Sequence, residues 1–341
     1  MKRRAIVAGN VGIDISPVFT GEKMSSMDEL LRPGEIVHIE GSEIHPGGGA
    51  ANTGIAMNLF GVGTTVMARI GDDYFGKMLE RMMADYGAET AFVKDSDSYT
   101  AYSIILAIPG MDRVILQNPG ANDRFYSGDV DMEVIRESCL FHFGHPPSME
   151  KIYREGGREL VQLFRKMRRE GLVTSLDLCA VDPASPAGRE DWKVFLENVL
   201  PFVDFFLPSR SELVYMLEID GVDRSGEADG VDVEKLAEIS HRMGAGSVVI
   251  KMGDAGMYYS TGSRELFHNL AEKLGLPEGS LDNWANRRGF QEPYSIEEEI
   301  SGLGAGDVSI AAFLSAFLKG YSLDDSLYLA VADGEVLCHL N

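Results

Sequence analysis

Cysteine is scarce in this chain: Cys139, Cys179 and Cys338 are the three among 341 residues. They show no CxxC or other metal-ligand spacing, and three widely separated thiols do not make a disulfide-stapled scaffold. Their odd number suits a reducing compartment. Basic residues are also in short supply, 31 Lys and Arg against 53 Asp and Glu, for a net charge of -22. That balance argues against nucleic acid or an anionic membrane surface as the main partner, and any anionic ligand must find its positive field locally. No apolar run is long enough to cross a bilayer. The amino terminus, MKRRAIVAGNVGIDI, starts basic, but Gly9, Asn10 and Asp14 break its apolar stretch, unlike a signal peptide. Together these features predict a cytoplasmic protein. No internal repeat or low-complexity segment stands out. What remains is ample length for a sizeable core, in one large α/β domain or two smaller ones.

The stretch around which the chain is organised is 301–320, SGLGAGDVSIAAFLSAFLKG. Ile310, Phe313, Leu314, Phe317 and Leu318 recur at helical spacing and predict a helix buried on one face. Its start falls near Ala305 or Gly306, where unpaired backbone N–H groups and the positive dipole end form an anion site. Gly302, Gly304 and Gly306 permit close backbone approach and positive φ, and Asp307 sets a carboxylate in the first turn. An anion cradle beside a base suits phosphoryl transfer. A tight turn followed by a helix whose Asp only complements the dipole accounts for the same residues without a ligand.

Residues 4–11 predict a buried first strand with Asp14 just beyond its end, where open α/β sheets place ligand groups. Residues 47–63, GGGAANTGIAMNLFGVG, again join glycines to an apolar helix, with Asn52 near its start and Gly61 ending it. From Thr90 the pattern turns to β, TAYSIILAI and RVILQNP around the turn PGMD, a hairpin able to pair with extended pieces before residue 45. Beyond it strands alternate with helices: 149–170 predicts one long charged helix, and SVVIKMGDAGMYYST a strand pair. The expected fold is α/β, a doubly wound, mainly parallel sheet flanked by helices, with a small β element. The expected division is 1–14, 46–90 and 123–341 for the large domain, 15–45 and 91–122 for the small sheet. Residues 264–299, including Trp284, Arg287 and Arg288, show no clear periodicity.

The ordered set GGGAANTGIAMNLFG, RIGDDYFG, HFGH, LDLC, PSRSE, KMGDAG and GLGAGDVSIAAFL resembles the ribokinase-like, or PfkB, family of carbohydrate kinases over nearly the whole chain. The resemblance implies the ribokinase-like fold and ATP-dependent phosphorylation of a hydroxyl on a small sugar or sugar derivative. It places the catalytic base at Asp307, with a raised pKa expected of an unpaired Asp beside a nucleotide, and the anion hole at Gly304, Ala305 and Gly306. Sugar contacts fall on Asp14, Gly47, Gly48, Gly49 and Asn52, with His145 as a further contact and Arg113 as a lid arginine. Nucleotide contacts fall on Ser209, Lys251, Gly253 and Gly256, and Glu212 organises the water shell of Mg²⁺. The small sheet becomes a lid over the sugar, through which subunits pair as a homodimer.

Three departures qualify the match. The family's Asn-x-x-Glu is Ser209-Arg210-Ser211-Glu212 here, which puts the nucleotide contact at Ser209 in question. The acidic residue that helps relatives bind a monovalent cation is Ser301, followed by Gly302 and Leu303 in place of threonines, so a monovalent-cation requirement stays open. Relatives continue past the helix matching 323–340 with a segment over the adenine, whereas this sequence ends at Asn341. A nucleoside acceptor, or a non-catalytic sensor of sugar or nucleotide, stands as the alternative. Gly9-Asn10-Val11-Gly12 lacks a complete GxGxxG, which disfavours a dinucleotide oxidoreductase.

Overall fold

The computed structural model describes residues 4–19, 26–111, 113–219, 231–293 and 304–336. The chain enters through β1 (Arg4–Gly9), crosses to β2 (Gly12–Val18) and β3 (Gly41–Gly47), then enters α1 (Gly49–Leu59). There follow β4 (Gly63–Gly71), α2 (Tyr74–Asp85), β5 (Glu89–Asp95) and the hairpin β6 (Tyr102–Leu106) and β7 (Val114–Asn118). Alternation resumes with α3 (Met132–Arg136), β8 (Leu140–Gly144), α4 (Glu150–Arg169), β9 (Val173–Leu176), α5 (Trp192–Val199), β10 (Phe205–Phe206), α6 (Arg210–Met216) and α7 (Val233–Arg242). The described chain closes with β11 (Ser247–Lys251), β12 (Met257–Ser260), α8 (Arg264–Lys273), β13 (Arg288–Gln291), α9 (Ala305–Lys319) and α10 (Leu323–Val336).

A nine-stranded sheet runs in the order β13-β12-β11-β10-β9-β8-β1-β4-β5, parallel from β5 to β11 and antiparallel at β12 and β13. Its parallel strands, such as RAIVAG and LFHFG, are apolar almost throughout because helices cover both faces. One core packs α4, α5, α6 and α7 on one face; the other packs α1, α2, α8, α9 and α10 on the opposite face. Strand order reverses between β1 and β8, so the ends of those strands open the crevice where such sheets bind ligands. The doubly wound, mainly parallel sheet expected from the sequence is present. A second sheet has the order β3-β2-β6-β7. No helix among the described residues is long and apolar enough to cross a membrane.

The structure corrects several expectations. β5 pairs in parallel with β4, from Thr65↔Glu89 to Gly71↔Asp95, so 91–95 belong to the large sheet and not to the small one. The crossover through α2 returns the chain beside β4 before the hairpin begins. At the other boundary β2 already starts at Gly12, so Asp14 lies within a strand of the small sheet rather than beyond the end of β1. Within α4 the backbone leaves the helix at Arg154 and turns left-handed at Glu155, Gly156 and Gly157. A Cβ on Gly157 would stand 2.7 Å from the Phe195 ring, so close packing against α5 accounts for the break.

α9 is buried on every side, without exception from Ser309 to Leu318. The large residues of the expected stripe fill one side, and Ala311, Ala312, Ser315 and Ala316 let neighbouring helices close over the other. Residues 264–293 brace it. Fully buried Trp284 packs edge-on against Phe205, Phe313 and Phe317, and its Nε1 donates to the Tyr321 carbonyl at 3.1 Å. Burying such a ring contributes roughly 4–6 kcal/mol of transfer free energy. The segment without visible periodicity therefore anchors the helix that carries Asp307.

Candidate active site

α9 begins at Gly304, whose φ of 79° favours glycine, and no side chain caps its first turn. Among the described residues no side-chain cap closes the N–H groups at the 304–306 turn. Asp307, 6% exposed, follows in that turn. Its Oδ2 accepts from Asn52 Nδ2 of α1 at 2.9 Å, and its Oδ1 lies 3.2 Å from His145 Nε2. The same His145 nitrogen is 3.9 Å from Asp177 Oδ2, and Asp177 Oδ1 accepts from Lys251 Nζ at 2.7 Å. Charges alternate along a line from Lys251 through Asp177 and His145 to Asp307. A Cβ on Gly306 would be 3.6 Å from Lys251 Nζ, so that ammonium faces the turn.

Strand ends and helix starts assemble this line. His145 follows β8 with φ 58°, a left-handed turn held before Pro146 and Pro147. Asp177 follows β9 and Lys251 ends β11. The glycines at 47–49 each leave room for a different neighbour. A Cβ on Gly47 would meet the Asp14 carboxylate at 2.2 Å, one on Gly48 the Asn10 carbonyl at 2.6 Å, and one on Gly49 the His145 ring at 2.8 Å. Asn10 ties the loop down, its Oδ1 accepting from Gly49 N–H at 2.9 Å and its carbonyl from Ala50 N–H at 3.1 Å. Asp14 pairs across the small sheet with His45 and Ser103. Asp177 lies in the LDLC motif, but neither that motif nor the VAGNV strand end marks Asp177 or Asn10 as a site residue; each reaches the site through strands that converge only in the fold.

Electrostatics divide the titratable groups. Burial would raise Asp307, but the His145 charge and hydrogen bond, the Asn52 amide and Lys251 outweigh it and hold the carboxyl below its usual range. The expected raised value is therefore reversed, because Asp307 is paired rather than lone. Burial opposes a charge on His145, yet Asp307, Asp177 and Glu212 win and lift it to about 9, so it stands as an imidazolium. Burial pushes Asp177 up to about 7 despite Lys251, with the Glu212 charge adding to the rise. Asp14 is likewise raised by burial, partly offset by the Ser103 hydrogen bond and His45.

The nucleotide candidates are ordered by local structure. Ser209 caps α6 in a reciprocal box: Glu212 N–H donates to Ser209 Oγ at 3.3 Å, and Ser209 N–H to Glu212 Oε2 at 2.7 Å. Ser209 also forms a strand-like bridge to Lys251, which brings both beside the line of charges. Gly253 is exposed with φ 57°, and a Cβ there would meet nothing within 4 Å. Gly256 is explained by packing instead, since a Cβ would lie 2.2 Å from the Gln291 carbonyl. Arg113 is exposed just before β7, and none of the bonds above draws it into the line. Ser301, Gly302 and Leu303 lie outside the described residues.

His145, Asp177 and Asp307 offer ligand atoms within 4.8 Å of one another. Lys251 and the imidazolium already neutralise those carboxylates, so the trio does not present a cation-seeking cage. For Mg²⁺, Glu212 fits better: one oxygen is spent in the cap, and the carboxylate faces the line strongly enough to raise His145 and Lys251. One or two carboxylates plus substrate phosphates are the usual magnesium set.

A family profile described as pfkB family carbohydrate kinase matches residues 18–274. Fructokinase-1 of Zea mays is 23% identical over 314 residues, spanning 91% of this chain and 82% of that protein. 2-Dehydro-3-deoxygluconokinase of Thermoproteus tenax is 24% identical over 323 residues, spanning 93% and 86%. The solved structure of Arabidopsis thaliana ribokinase complexed with ribose and ATP superposes with a TM-score of 0.71 at 18% identity, covering 99% of this chain and 93% of that one.

Proposed function

The chain belongs to the pfkB family of carbohydrate kinases, and from that premise we propose that it transfers the γ-phosphoryl group of ATP to a hydroxyl of a small sugar or sugar derivative, with Asp307 as base. One observation carries this assignment: a buried, ionised carboxylate in the first turn of an uncapped helix, held from two sides by Asn52 and His145. Phosphoryl transfer passes through a loose transition state, so the attacking hydroxyl becomes strongly acidic only late. A weak base that stays ionised and fixed in direction is then sufficient, and it takes the proton as the oxygen bonds to phosphorus. The backbone N–H groups at 304–306 stabilise charge on the transferred group, and Lys251 adds a cation at the same turn.

Asp14, Asn52 and His145, with the glycines at 47–49, form the sugar side. A carboxylate and an amide can each bridge neighbouring hydroxyls. Lys251, Ser209 and Gly253 form the nucleotide side, Glu212 holds the water shell of Mg²⁺, and Arg113 closes from the lid. Bound magnesium supplies neutralising charge to the phosphates. The reading extends to a cytoplasmic enzyme, which the sparse cysteines support, and to a homodimer joined through the small sheets, which their open edges support.

ATP, Mg²⁺ and a panel of fructose, ribose, 2-dehydro-3-deoxygluconate and adenosine should yield ADP with one acceptor. Asp307→Asn should lower that turnover by about 10²- to 10⁴-fold with the fold intact. An undiminished rate in the variant would overturn the role of Asp307. Phosphorylation of adenosine alone would move the acceptor class to nucleosides, and binding without any ADP release would favour a sensor.

A further inference from the structure

We propose that Asp177 takes up a proton from solvent when an anionic phosphoryl group enters the 304–306 turn, as Lys251 turns from Asp177 to the phosphate. This rests on the kinase assignment and adds to it a residue that the sequence did not single out. The geometry makes one ammonium serve two anions. Lys251 Nζ bonds Asp177 Oδ1 at 2.7 Å and lies 3.6 Å from the position of a Cβ on Gly306, at the mouth of the anion site. An arriving phosphoryl group therefore competes with Asp177 for its nearest cation.

The two buried carboxylates are not equally exposed to that competition. Asp307 also accepts from the neutral Asn52 amide and takes the shorter contact to His145, so it keeps its charge when Lys251 is drawn off. Asp177 is 1% exposed, and the bonds described for it come from cations alone, Lys251 and the more distant His145. Its other ionisable neighbours are Glu212 on α6, Asp307 on α9 and Cys179 two residues on. Burial keeps the Cys179 thiol protonated, and His145 and Lys251 hold their protons through neutrality. Asp177, already displaced toward neutrality, is the group left to change. The balance is one solvent proton forming one O–H bond on the Asp177 carboxyl, returned when the nucleotide leaves.

The linkage has a definite sign. Binding that takes up a proton weakens as pH rises, by up to about tenfold per pH unit above the free-state value of Asp177. The test is calorimetric titration of the full chain with β,γ-imido-ATP and Mg²⁺, in buffers of different ionisation enthalpy, from pH 7 to 9. Wild type should take up more protons per site than Asp177→Asn, by up to about one where free Asp177 is ionised, and the variant's Kd should be flatter across the range. The wild-type proton count needs no variant, so it stands even if Asp177→Asn folds poorly. Analogue binding to wild type without proton uptake, or equal uptake in Asp177→Asn, would overturn the role of Asp177 alone. No binding of the analogue at any pH would overturn the kinase assignment with it.

Discussion

His142 and His145 stand three residues apart and are driven in opposite directions. His145 is surrounded by carboxylates and is lifted to about 9. His142 is fully buried on β8, its Nδ1 3.1 Å from the Ser175 hydroxyl and its Nε2 without a hydrogen-bond partner among the described residues. Burial pulls it down to about 3, against the pull of Asp307 and with the push of Lys251 and His145. A depressed value means that the neutral ring favours folding above the unfolded value of about 6.5, and that this contribution is lost as pH falls toward 3. Across that window one proton is bound on unfolding, a slope of about 1.4 kcal/mol per pH unit. Urea unfolding between pH 6 and 4 should therefore show a shallower acid loss in His142→Gln than in wild type, by about one proton. Equal slopes would show that His142 is not buried neutral. At this scale the sequence named Asp307, Asn52, His145 and Lys251, which the fold brings into one line of contacts. Asp177 and Asn10 were not legible, because LDLC, though part of the ordered motif set, and VAGNV do not say which of their residues reach the site until β8, β9 and β1 lie side by side.

α6 shows how an element absorbs a departure from the family's pattern. Where Asn-x-x-Glu is usual, Ser209 and Glu212 close a capping box, so the serine satisfies N–H groups at the start of the helix and orients the glutamate. Ser209→Ala removes one arm and should cost about 1 kcal/mol of unfolding free energy, whereas Ser209→Asn, an equally good cap, should cost a few tenths. Chemical denaturation of the two variants checks this, and an unchanged midpoint in Ser209→Ala would show the box to be unimportant. Helices announced by glycines that lead into an apolar run, such as α1 and α9, were legible from the residues alone. α8 and the four-residue β13 were not, because their patterns are too short to separate from loop, and Trp284 marks them only through contacts made after folding. β5 was placed with the hairpin because its β pattern runs on toward β6 and β7, and only pairing with β4 assigns it to the large sheet.

At the scale of the whole molecule the small sheet has two unlike faces. Register places His45, Asp14, Ser103 and Gln117 in one row across β3, β2, β6 and β7, with Asp14 beside the glycines at 47–49. The next row is Ile44, Ile15, Ile104 and Leu116, apolar across all four strands and turned to the opposite face by the alternation of side chains. Ile44 and Leu116 are 42% and 52% exposed, which leaves contiguous apolar surface in water. β3 and β7 are also open edges of this sheet. A second copy of the chain, bringing the same row, would bury all of it in a closed two-fold contact. Light scattering should then give the mass of a dimer. Leu116→Lys and Ile44→Lys, which place charge in that row without touching the Asp14 face, should each weaken the dimer by roughly 10- to 100-fold while circular dichroism stays unchanged. A monomeric wild type at micromolar concentration would leave the apolar row to packing within one chain, and the edges of β3 and β7 to solvent.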